Sequence, residues 1–287
     1  MTANATQPNR VSVTGLIARF KGKVSLTLSL VLTESVLILL FPLFIGFAIN
    51  GLLERDFGGI YLLAGLGLLA LVVGSARRFL DTRAYSGIYV QLSDETVARE
   101  QAADSSISKI SARASLLTEF VEFLENSMPA IVQSIIGVIG VLAILFTLNL
   151  SVFWASLALF ALMIGIYALS GRTNFRLNEG YNTELENQVQ AIAGQDRGHI
   201  RRHFEAVATW NIKLSDLETW NYAAIWLGII GLLVYAPIVV IDSGVVNYGL
   251  VFSILMYVFQ YVESLLTLPF FIQQVIRLQE ISVRLQA

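Results

Sequence analysis

The sequence predicts an all-α membrane protein with six transmembrane helices and long cytoplasmic stalks. Three observations carry this. The 287 residues are 55% hydrophobic and 14% charged, whereas soluble domains carry about 25% charged residues. Six apolar runs are each long enough to cross hydrocarbon, which takes roughly 20 residues. Of the nineteen Lys and Arg residues, eighteen fall on one side of those runs and Arg55 alone on the other.

The spans lie near residues 24–49, 58–80, 128–147, 151–171, 222–241 and 248–276. Residues 1–23 form an amino-terminal segment, and 24–287 a single six-helix domain. The first run, Val24 to Ala48, exceeds the core of a signal peptide (about 7–15 residues), and no small-x-small site follows it, so it reads as a true span. Lys and Arg mark the cytoplasmic side. Both termini and two long connections are therefore expected there, in the inner (plasma) membrane.

Composition also excludes classes of function. A net charge of −2 gives no basic surface for nucleic acid. Zero cysteines exclude disulfides, thiol catalysis and zinc–thiolate sites, and His199 and His203 are too few for a His-rich metal centre. No cofactor, metal or enzyme constellation is expected.

The connections carry helical periodicity. Between Ser75 and Ser127 there is no Pro and only Gly87. Leu80, Ala84, Ile88 and later Leu116, Phe120 and Phe123 recur at helical spacing. Spans two and three are thus expected to continue as stalks, and span four likewise past Asn174, Asn178 and Asn182. A break is predicted at Gly194–Gly198, where two glycines flank polar residues.

This layout resembles the six-helix transmembrane domain of ABC exporters. Gly244 and Gly249 before the last span, Pro269 within it and Arg284 after it are similar to that family's closing pattern. Arg113, Ser115 and Glu119 loosely match its polar approach to span three, with Glu in place of the usual Asp. Its Val-Lys-x-Phe stretch is absent; His203-Phe204-Glu205-Ala206 stands there. The resemblance implies a domain-swapped homodimer, and a transverse coupling helix at each stalk tip. The tips would be residues 91–104 and 190–203, with Asp94, Glu95, Gln195, Asp196 and Arg197 as coupling candidates. No Gly-x-x-x-x-Gly-Lys-Ser/Thr loop occurs in the sequence; Gly22-Lys23 is followed by Val24. The chain is expected not to hydrolyse ATP by itself.

Ionisable residues inside spans are costly and mark function by default. Glu34 lies midway along span one and Glu263 midway along span six. Tyr257, Gln260, Glu263, Ser264, Thr267 and Gln274 fall near one helix face. Glu119, Glu122 and Glu125 repeat at the cytoplasmic end of span three, with Asn126 and Gln133 extending the side of Glu122. Glu34, Glu119, Glu122, Gln260, Glu263 and Arg78 are the candidate substrate and proton pathway. The alternative for the acids is hydrogen bonding between packed helices or a solvated face. For Arg77 and Asp81, an i,i+4 pair, the structural role is expected.

Two functions remain open. One is a secondary, proton-coupled transporter, in the manner of stand-alone peptide-uptake proteins of this architecture, with a small, peptide-like or cationic substrate. The other is the membrane subunit of a split ABC transporter that recruits a separate ATPase. A non-transporting membrane partner is a third class that no residue specifically favours. Substrate identity and direction are not encoded legibly.

Overall fold

The computed structural model describes residues 15, 18–194, 196–242 and 247–286, with the backbone alone given at 272, 276–277 and 279–286. Among these, all regular structure is helical. The elements are α1 (Lys21–Leu53), α2 (Gly58–Ala102), α3 (Ile107–Glu122), a π-helical segment (Phe123–Ser127), α4 (Met128–Leu148), α5 (Leu150–Glu186), α6 (Gln188–Ala193), α7 (Arg197–Asp242) and α8 (Tyr248–Gln286). Six helical stretches are long and apolar enough to cross a membrane. Each contains one of the six spans read from the sequence.

The helices form two packed groups. The first comprises α1 to most of α4, together with α8. Here α1 packs on α2 and α8, and α2 pairs with α3. At 1.5 Å per residue, the 45 residues of α2 extend about 68 Å, more than twice a hydrocarbon thickness of about 30 Å. The excess forms the first stalk. Its apolar seam joins Tyr85, Ile88 and Leu92 to Leu117, Phe120, Val121 and Leu124.

α1 and α8 meet at small residues. A Cβ on Gly46 would sit 2.7 Å from the Gly249 carbonyl oxygen, so only glycine allows this approach. The Gly249 N–H donates to Asn50 Oδ1 (2.9 Å), Ser253 donates to the Pro42 carbonyl (2.7 Å), and Tyr257 donates to the Leu39 carbonyl (3.0 Å). Side-chain hydroxyls thus serve the backbone around Pro42, as a proline inside a membrane helix requires. Gly244, Gly249's partner in the sequence pattern, lies outside the described residues, as does the side chain of Arg284.

The first stalk tip departs from the pattern the resemblance implies. α2 turns into α3 through four residues, without a helix between them. Asp104 takes a left-handed φ of 52° there. Ser106 caps α3 by accepting from the Lys109 N–H. Glu100 closes the turn, accepting from Ser105 Oγ at 2.8 Å and from Arg113. With cap and clamp in place, the connection is complete before a further helix can form.

The second group is the antiparallel pair α5–α7 with the short α6. Val152, Ser156, Leu159 and Met163 are buried on α5, and Ile225, Ile229, Leu232, Ala236 and Val240 on α7. Asn221 Nδ2 donates to Ser170 Oγ at 3.0 Å, and Gly180 leaves room for the Trp210 ring. The predicted break falls where α6 ends at Ala193 and α7 begins at Arg197. Asn187 adds an earlier interruption. Asp196 caps α7 through the Gly198 and His199 N–H groups.

Candidate functional site: a polar face at membrane depth

Two cavities are stacked in the first group between α8 and the facing run of α3, the π-helical segment and α4; the deeper one mixes polar side chains with apolar ones such as Ala130 and Phe271. The deeper one, about 240 Å³, is lined from α1 by Ser35, Ile38 and Leu39. Gln133, Ser134 and Gly137 line it from α4, and Gln260, Glu263, Ser264 and Thr267 from α8. Ser134 and Thr267 share a hydroxyl hydrogen bond of 2.9 Å across the gap. A Cβ on Gly137 would collide with the Ser264 hydroxyl, so glycine there lets α8 bring its polar face close. Glu263 is exposed in the single chain. Gln260 is half-buried, and its Oε1 has no hydrogen-bond partner among the described residues.

The second cavity, about 160 Å³, is lined by Glu119, Glu122, Asn126, Ser127 and Gln274. Asn126 and Gln133 are seven residues apart, or about 10 Å along the axis. The two cavities therefore follow one another along the run from α3 through the π-helical segment to α4, facing α8. Four of the six pathway candidates, Glu119, Glu122, Gln260 and Glu263, are brought to this face.

The other two go elsewhere. Glu34 is 7% exposed and accepts from Arg77 Nε, against the bare Cα of Gly74 on α2. Arg77 also donates to Asp81 Oδ2 at 3.0 Å, and Asp81 is 4% exposed. The expected i,i+4 pair is therefore present, and Glu34 joins it. Arg78 is exposed and lines neither cavity. Glu125 also leaves the acidic series. Steps of three residues lag by about 60° each at 100° per residue, and the π-helical segment interrupts the regular winding. Glu125 ends near enough to Asp81 and Tyr85 to act on their charge.

At the tips, Asp94 and Arg197 are exposed. Glu95 accepts two hydrogen bonds of 2.6 Å from Arg19, and that pairing holds its carboxyl below the usual range. Glu100, within the 91–104 tip that the resemblance marks for coupling, is held low by the Ser105 hydroxyl and then by Arg113. Asp196 is spent on the helix cap, and Gln195 lies outside the described residues. Ser134 and Gly137 were not among the candidates; small and polar residues three apart in an apolar span were the available signal.

Six apolar helices of spanning length, with carboxamides, hydroxyls and carboxylates gathered on one face of the first group, define a multi-pass α-helical membrane protein. The chain belongs to the ABC transporter transmembrane region family, whose model matches residues 14–249. It is a membrane transporter by that membership. No curated protein matches it in sequence.

Proposed function

We propose that the protein is a secondary transporter in which proton movement through Glu263 drives a cationic, peptide-like substrate. The observation that carries this reading is the exposed Glu263 carboxylate in a cavity of mixed polar and apolar lining, midway along a membrane helix. A carboxylate facing lipid at that depth is costly. Its surroundings must be wet, and a second copy of the chain enclosing the same space would make them so. The homodimer is thus part of the proposal. Glu119 and Glu122 give the path an acidic mouth that attracts cations and relays protons toward Asn126 and Gln133. Positive-inside asymmetry supports a cytoplasmic side for that mouth, the stalks and both termini.

The test is transport itself. Protein in liposomes, under an imposed pH gradient, should accumulate fluorescent cationic peptides, and an uncoupler should abolish accumulation. A gradient-independent signal across a broad peptide panel would defeat the reading.

One observation favours an alternative. The first stalk tip is rigidly clamped by Ser105, Glu100 and Arg113 while presenting exposed charges such as Asp94. A braced, charged tip suits docking to a separate ATPase subunit. Purification from the native membrane with such a subunit attached would support the split-transporter reading.

A further inference from the structure

The second stalk holds a cavity that the transport path does not use. It measures about 420 Å³ and lies where the end of α5, the short α6 and the first turns of α7 meet. That size falls within the usual range for small-molecule sites, about 300–1,000 Å³. Its polar lining is Glu184, Asn187, Gln190, His199, Arg202 and His203.

His203 is the informative residue. It is 5% exposed, yet it sits on the wall of a cavity. Its Nδ1 lies 2.8 Å from Glu184 Oε1, and its Nε2 is buried without a partner. A carboxylate only accepts, so Nδ1 must be the donor. That fixes the ring's orientation and leaves Nε2 unpaired; the atom is buried, so a ligand in the cavity meets it only as the lining shifts. A buried polar atom without a partner costs stability. A ligand in the cavity would remove that cost.

Two ligand chemistries fit a carboxylate-backed imidazole. A metal ion would take the bare Nε2, as backed histidines often do. The surroundings argue against it. Among the described residues no three metal-ligating side chains converge, and the Arg202 guanidinium lines the same wall. An oxyanion fits better. Arg202 carries only donors, the Asn187 and Gln190 amides add more, and His199 lies one helical turn from His203. A protonated Nε2 then donates as well. Glu184, the one acid in the lining, is already engaged by Nδ1.

We propose that this cavity binds a phosphate-type oxyanion, with His203 Nε2–H and Arg202 as its principal donors. Binding takes up one proton at Nε2, supplied by the monoanion or by solvent. A lipid headgroup is not the source. Glu184 lies thirteen residues beyond the membrane limit read at residue 171, about 20 Å along the helix. The ligand is therefore a free phosphate or small phosphate ester.

The chain contains only two histidines, which makes the test direct. Full-length protein with 15N-labelled histidine rings, in nanodiscs of zwitterionic lipid, gives two ring systems, assigned with His199→Gln. Inorganic phosphate is titrated at constant ionic strength against chloride. The expected result is a saturable shift of the His203 Nε2 signal toward that of a protonated nitrogen. Arg202→Gln, a substitution at an exposed position, should retain both ring signals and weaken phosphate binding about tenfold or more. A shift no different from chloride, an unchanged affinity in Arg202→Gln, or saturable shifts with Zn²⁺ but none with phosphate would each overturn the proposal.

Discussion

Glu34 on α1 and Arg77 on α2 form an ion pair inside the first helix group, with Asp81 as the guanidinium's second partner. Two carboxylates thus share one positive charge among buried neighbours. Removing the shared cation is the most damaging change available. Arg77→Met leaves both acids uncompensated and is expected to cost about 3–5 kcal/mol. Glu34→Gln leaves the Arg77–Asp81 pair intact and should cost clearly less. Equilibrium unfolding in mixed micelles checks the order; equal losses would contradict it.

The α1–α8 contact depends on missing side chains. Gly249→Ala places a methyl group against the Gly46 carbonyl and the Asn50 amide. Forced overpacking of this kind costs about 1–3 kcal/mol. Gly65→Ala, where a Cβ meets nothing within 4 Å, is the matched control and should be neutral or slightly stabilising. Thermal unfolding midpoints of the two variants separate them.

The first stalk tip should respond to acid in a defined direction. The Ser105 hydroxyl, and then Arg113, depress the Glu100 pKa in the folded chain. A depressed carboxylate contributes stability that is present above its unfolded value, near 4.3, and lost as pH falls through the lower folded value. Protection of the amides at residues 103–106 from hydrogen exchange, taken relative to the intrinsic rate at each pH, should therefore hold at neutral pH and fall only in strong acid. Glu100→Gln should lower that protection at neutral pH and flatten the response.

The chain contains no cysteine, so single cysteines report water access without background. Cysteines at Glu122, Gln133 and Glu263, which line the two cavities, should react readily with a water-soluble thiol reagent. Cysteines at Val141 and Tyr261, both 0% exposed, should stay unlabelled. Labelling of the second set, or protection of the first, would remove the wet path.

Much of this fold was legible because its signals are periodic and local. The six apolar runs, the Gly194–Gly198 break and the stalk extensions each depend on neighbours within a turn or two. The polar face of α8 was also readable, since Gln260, Glu263, Thr267 and Gln274 recur at helical steps. Pairing between helices was not. Nothing near Glu34 in sequence indicates that Arg77, forty-three positions away, will reach it. The three-residue series of acids suggested one face, but its rotation and the π-helical segment send Glu125 toward Asp81. At the first tip, the four-residue turn rests on Glu100 meeting Ser105 and Arg113, a tertiary clamp that composition does not announce. The Glu184–His203 contact likewise joins different helices.

Proton flux in liposomes loaded with a pH-sensitive dye tests the central claim most directly. Addition of a transported cationic peptide should drive proton movement in the wild-type protein. Glu263→Gln should abolish that coupled flux, while peptide binding and the folded state persist. Coupled flux undiminished in Glu263→Gln would contradict the account.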